Sequence, residues 1–94
     1  MERKLVSFLK KLSIEKDEID NLVQLCPGLD LISDSRAKAN VKIVVDAGFP
    51  IFDVSNIIYS NPSFLLHDPQ DLQKIIDLID GDIETELKNN PFLI

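Results

Sequence analysis

His67 and Cys26 are the only histidine and the only cysteine in the chain. Nucleophilic chemistry built on a thiolate and an imidazole base would have to use this pair, held in hydrogen-bond reach and oriented by a third group. No local motif brings them together: Cys26 precedes Pro27-Gly28, and His67 precedes Asp68-Pro69. We therefore expect His67 to be a solvated loop residue and Cys26 a small buried apolar group at a helix end. One Cys and one His also fall short of a structural zinc site. Asp77, Asp80, Asp82, Glu84 and Glu86 form an acidic cluster, but without the Asp-x-Asp-x-Asp-Gly ligand order of a calcium loop. Helix capping and surface roles are the expectation for them. There is no glycine-rich phosphate loop and no strand to precede one. The chain reads as a non-enzyme with no cofactor and no metal.

The elements that would position any binding residue are helices. Leu5, Val6, Phe8, Leu9 and Leu12 follow the i, i+3, i+4, i+7 spacing of an amphipathic helix over residues 1–12. Ser13 is the expected cap of a second helix, which carries Ile19, Leu22, Val23 and Cys26 and stops at Pro27-Gly28, the glycine taking a left-handed turn. Leu29, Leu31 and Ile32 then form an apolar connector that tucks inward. Ser33 or Asp34 caps a third helix to about residue 46, ended by Gly48; its valine-rich run 41–45 has no strand partner. Pro50 suits the first turn of a fourth helix, stopped by Asn61-Pro62, with Phe64, Leu65 and Leu66 as the next connector. Asp68-Pro69 opens a fifth helix carrying Leu72, Ile75, Ile76, Leu78 and Ile79. Asp80 or Asp82 caps a sixth, and Pro91-Phe92-Leu93-Ile94 closes on a third connector. The expected core is Leu5, Phe8, Leu9, Leu22, Val23, Leu31, Val41, Val44, Ile57, Ile58, Leu66, Ile75, Ile76 and Ile79.

Charge is unevenly spread over the 94 residues. The net balance is −6, yet residues 1–16 sum to +3 and residues 35–42 also to +3, while residues 43–94 set Lys74 and Lys88 against nine acids. Phosphate affinity comes largely from Lys and Arg, so the overall balance disfavours a general polyanion binder. A local strip of Arg3, Lys4, Lys10, Lys11, Arg36, Lys38 and Lys42 remains the candidate nucleic-acid contact. A single cysteine excludes an internal disulfide, and no stretch approaches the ~20 apolar residues of a membrane span. A cytoplasmic protein without membrane contact is the expectation.

A shift of 35 residues lays Pro27 on Pro62, Val6 on Val41, Leu9 on Val44, Ile19 on Val54, Asn21 on Asn56, Leu22 on Ile57 and Leu29 on Phe64. A second shift of 35 lays Val41 on Ile76 and Val44 on Ile79, after which Pro62 to Pro91 is only 29. Recurrence at this period with two helices per unit is the signature of a helical solenoid. The expected fold is all-α: one domain over residues 1–94, a stacked, right-angle helical repeat. It would be a short α-solenoid of about six helices, two full repeats (1–33, 34–67) and a truncated third (68–94).

Asn61-Pro62-Ser63-Phe64-Leu65-Leu66 after Gly48-Phe49-Pro50 resembles the repeat of the mitochondrial transcription termination factor (mTERF) family. Leu12-Ser13-Ile14 with Pro27-Gly28-Leu29 is a second copy of that motif, and Asn90-Pro91-Phe92-Leu93 closes a shortened third. The resemblance implies stacked helical units that bind nucleic acid through a basic surface. Residues 45–50 are also similar to the Met-Gly-Phe loop of ubiquitin-associated domains, without its methionine. With fewer than three complete repeats and an acidic balance, the chain is expected to bind a protein partner, with nucleic acid the alternative. Phe92, Leu93 and Ile94 are the candidate protein contact, and a homodimer through them is one form it could take.

Overall fold

Prolines and left-handed residues cut this chain into helices at regular places. The computed structural model describes residues 4–94, the side chains of residues 4–6 and 30 apart. Arg3 lies outside the described residues, as do the side chains of Lys4 and Leu5. The described residues form six α-helices and no strand.

Helix α1 (Lys4–Lys11) ends where Ser13 N–H donates to Lys10 O at 3.0 Å and Ile14 N–H to Leu9 O at 3.2 Å. That pair of bonds is a Schellman ending, with Ser13 at the left-handed position, φ 68. Ser13 therefore terminates α1 rather than capping the next helix, as its sequence position had implied. The cap of α2 (Lys16–Leu25) is Glu15, which makes no side-chain cap bond, while Asp17 and Glu18 occupy the first turn as expected.

Helix α2 stops at Cys26, whose backbone (φ −137, ψ 80) is pushed out of the helical region by the following proline. The chain then makes the short 3-10 helix η1 (Pro27–Asp30). With three residues per turn, positions i and i+3 share a side. Leu29 is accordingly buried and Ile32 half-buried, but Leu31 falls on the outer side and is 88% exposed, which corrects its assignment to the core. Gly28 also differs from expectation: its backbone is not left-handed, and its missing Cβ instead admits Leu66, whose Cδ1 would stand 3.0 Å from such an atom.

Helix α3 (Asp34–Asp46) starts at Ser33, which accepts from Arg36 N–H, and buries Ala37, Asn40, Val41 and Val44 on one stripe. It ends in the same way as α1, with Gly48 at φ 119 and Phe49 N–H donating to Val44 O at 3.2 Å. Ile14 and Phe49, the residues after the two left-handed positions, are both fully buried. Pro50 caps a 3-10 turn, η2 (Ile51–Asp53), which runs into α4 (Val54–Ser60); it stands one place earlier than a first-turn proline would. Asn61 (φ −146, ψ 74) and Pro62 lead into η3 (Pro62–Leu66).

Asp68 caps α5 (Pro69–Asp77) by accepting from Gln70 N–H at 2.9 Å. Asp82 caps α6 (Ile83–Asn89) by accepting from Thr85 N–H and from its hydroxyl. Asn90 (φ −149, ψ 90) and Pro91 then open η4 (Pro91–Leu93).

Three times, then, the chain leaves a helix through nearly the same backbone conformation and enters a proline-led 3-10 turn. Helix α3 lies between α1 and α5, and η1 packs on η3, in a body of 42 × 22 × 20 Å. The core runs through it from Leu9 to Ile94. No helix among the described residues is long and apolar enough to cross a membrane.

Candidate interaction surfaces

The basic strip is drawn from α1 and α3, and the fold sets these helices side by side. Lys10, Lys11, Arg36, Lys38 and Lys42 are all exposed. Their charges are partly spent within α3: Lys38 Nζ is 3.2 Å from Asp34 and Lys42 pairs with Asp46, each one turn away. Lys38 Nζ also stands 6.0 Å above the Phe8 ring, a cation–π contact between the two helices.

The acidic cluster has structural employment. Thr85, through its backbone and then its hydroxyl, holds the Asp82 carboxyl below its ordinary value. Lys88 reaches Glu84 at 2.6 Å and Asp53 at 3.2 Å, and hydrogen bonding to those carboxylates raises it. Among the described residues no group of three His, Cys, Asp or Glu side chains is placed to hold a metal ion.

The Asp53–Lys88 pair joins the end of η2, where α4 begins, to α6. Glu18 of α2 lies close enough to Tyr59 of α4 to act on its hydroxyl; Asp53 follows Glu18 by 35 residues and Lys88 follows Tyr59 by 29. Hydrogen bonding to Glu18, reinforced by burial and by the charges of Glu18 and Glu15, pushes the Tyr59 hydroxyl up to about 12.

Two buried asparagines, Asn61 expected only as part of a helix stop and Asn40 not singled out at all, hold the connectors in place. Asn40 Nδ2 faces the main-chain oxygens of Phe64 at 3.1 Å, Leu65 at 3.1 Å and His67 at 2.9 Å. Asn61 Nδ2 donates to Pro91 O at 3.0 Å, and its Oδ1 accepts from the Ser63 hydroxyl. A polar residue on the Ala37–Val41–Val44 stripe was the available signal for Asn40. His67 is not a free loop residue: it is half-buried and its Nε2 donates to the main-chain oxygen of Ile94 at 2.7 Å. Cys26 is half-buried at the edge of the core.

The expected contact Phe92-Leu93-Ile94 is divided by the fold. Ile94 is 6% exposed and closes the core, whereas Phe92 is 69% exposed and Leu93 is exposed beside it. Leu93 lines an open hollow of about 440 Å³ together with Ile75, Leu78 and Ile79, rimmed by Asp80 and Glu86. Leu78, expected within the fifth helix, sits one residue past its end and is 86% exposed. A second hollow of about 340 Å³ lies between α4 and α6, floored by Phe49, Ile57 and Leu87 and crossed by the Asp53–Lys88 pair.

No family model, no curated protein and no solved structure matches the chain.

Proposed function

We propose that the chain is a short stack of helical repeats that acts as a non-catalytic binding module for a protein partner. The observation that carries the reading is the apolar hollow at the acidic end, where Leu78 and Leu93 line its wall and Phe92 adjoins it in the chain. Large apolar side chains gathered around one concavity mark a contact surface more often than scattered exposed leucines do. The stack itself is supported by the 35-residue spacing of α2 and the η2–α4 segment and by the three pre-proline helix ends. It agrees with the resemblance to the termination-factor repeat.

Nucleic acid is the second reading, favoured by the adjacency of α1 and α3 and the exposure of Lys11 and Arg36. Against it stand the intrahelical pairing of Lys38 and Lys42 and the acidic balance. The discriminating experiment titrates labelled single- and double-stranded DNA and RNA at ~50 and ~200 mM salt, a range over which phosphate contacts weaken steeply. We expect no saturable binding at either salt. Tight binding that collapses with salt and is lost in Lys11→Glu/Arg36→Glu would put nucleic acid first.

A further inference from the structure

Helix α5 packs on α3, and beside it a hollow opens where Ile75 of α5 shares the lining with Glu86 of α6 and Leu93 of η4. Thirty-five positions after Ile43 and Val44 of α3 stand Leu78 and Ile79, just past the end of α5. Phe64 of η3 corresponds, 29 positions on, to Leu93 of η4. In the middle of the chain Val44 and Phe64 are fully buried and Ile43 is half-buried. At the end, Leu78 and Leu93 are exposed and Ile75 and Ile79 are only half-buried. The hollow is thus an open apolar concavity with its large side chains left uncovered. Its rim is acidic at Asp80 and Glu86, within a stretch (43–94) that sets two lysines against nine acids.

Resting on the repeat-stack reading above, we infer that this hollow receives one amphipathic helix of a protein partner. Apolar side chains at i, i+3 and i+4 seat among Ile75, Leu78, Ile79 and Leu93, and flanking Lys or Arg side chains meet Asp80 and Glu86. A second copy offering its own basic α1 is disfavoured, because Leu9 of that helix is fully buried in its own core and Phe8 and Leu12 pack against the same core.

The test uses two synthetic helices of about 18 residues, long enough to hold helical structure, with one leucine stripe and either Lys or Glu flanks. Each is titrated into the isotope-labelled full chain. The Lys-flanked peptide should bind saturably and shift the amides of residues 75–80 and 92–93, and the Glu-flanked peptide should bind at least about tenfold more weakly. Leu78→Asp and, separately, Phe92→Ser alter exposed side chains and should keep the helical circular dichroism unchanged; Leu78→Asp should weaken the Lys peptide at least about tenfold. Asp80→Lys/Glu86→Lys should reverse the preference between the peptides. No saturable binding, or equal binding of both peptides, overturns the inference. Concentration-dependent dimerisation that Leu78→Asp abolishes overturns it in favour of a second copy. Shifts centred on the α4–α6 hollow overturn the placement while leaving the protein-partner reading standing; the fate of that reading is read separately from the nucleic-acid titration.

Discussion

The side-chain amide of Asn40 donates to the main-chain oxygen of His67 at 2.9 Å, tying the middle of α3 to the end of η3 across 27 positions of sequence. The same nitrogen lies 3.1 Å from both Phe64 O and Leu65 O, so its two hydrogens are shared among three inward-facing carbonyls at the end of η3. Removing a buried donor leaves the acceptors unpaired. We expect Asn40→Leu to cost about 2–3 kcal/mol in urea unfolding. Asn40→Asp should be worse at neutral pH, because a carboxylate there would face oxygen atoms. Such a carboxyl would have its folded pKa raised, so the variant's deficit should shrink as pH falls through that pKa toward the unfolded value. A pH-independent deficit would show that the amide's donors are not what matters.

Ser13 and Gly48 occupy the same place in two copies of one helix ending, at φ 68 and φ 119. A side chain is tolerated at the first only at a steric cost. Ser13→Gly should therefore stabilise the chain by about 0.5–1 kcal/mol, and Gly48→Ala should destabilise it by about 1–3 kcal/mol. Both are read as shifts in the urea midpoint at constant slope. A destabilised Ser13→Gly would mean that the serine makes a compensating bond.

Ile58 is fully buried and Leu31 almost fully exposed, though both are apolar residues in similar sequence settings. Ile58→Ala should cost about 2–5 kcal/mol as a core cavity. Leu31→Ala should stay within about 0.5 kcal/mol of the parent. Equal costs would contradict the phase of η1.

Gly28 leaves the space beside it to the Leu66 side chain where η1 packs on η3. Gly28→Ala forces the leucine to shift, at a cost of about 1 kcal/mol, near the low end for overpacking because the contact is with the end of a flexible side chain. In the double variant with Leu66→Ala that extra cost should vanish, visible as non-additivity in a double-mutant cycle. Strict additivity would separate the two residues.

Tyr59 is the only tyrosine and the chain has no tryptophan, so tyrosinate absorbance reports one site. Its hydroxyl should titrate near 12 in the parent and move back toward 10.0 in Glu18→Gln. The neutral hydroxyl is the form that folding favours. Its contribution to stability is complete below about 10 and is lost as pH rises from there through about 12. An unchanged titration in Glu18→Gln would mean that Glu18 does not act on Tyr59.

Much of this architecture is local and therefore legible in the sequence. Pro27, Pro62 and Pro91 stop helices because a proline excludes helical geometry from the residue before it, whatever the surroundings. Ser33, Asp68 and Asp82 cap because their oxygens need reach only two or three residues forward. The stripe Val54, Ile57 and Ile58 follows from helical periodicity alone.

Tertiary structure decided the rest, because the deciding partners lie far along the chain. Asn40 is a connector clamp only once η3 lies beside α3, and His67 is a staple only once Ile94 returns to it. Ile94 is core and Phe92 surface because one 3-10 turn points their side chains apart. Leu78 is exposed because α5 ends one residue before it and the chain there turns away from the stripe that buries Leu72 and Ile76. Local rules reach about one helical turn; which apolar face stays open is set by what packs on it, and that depends on contacts 24 or more residues away.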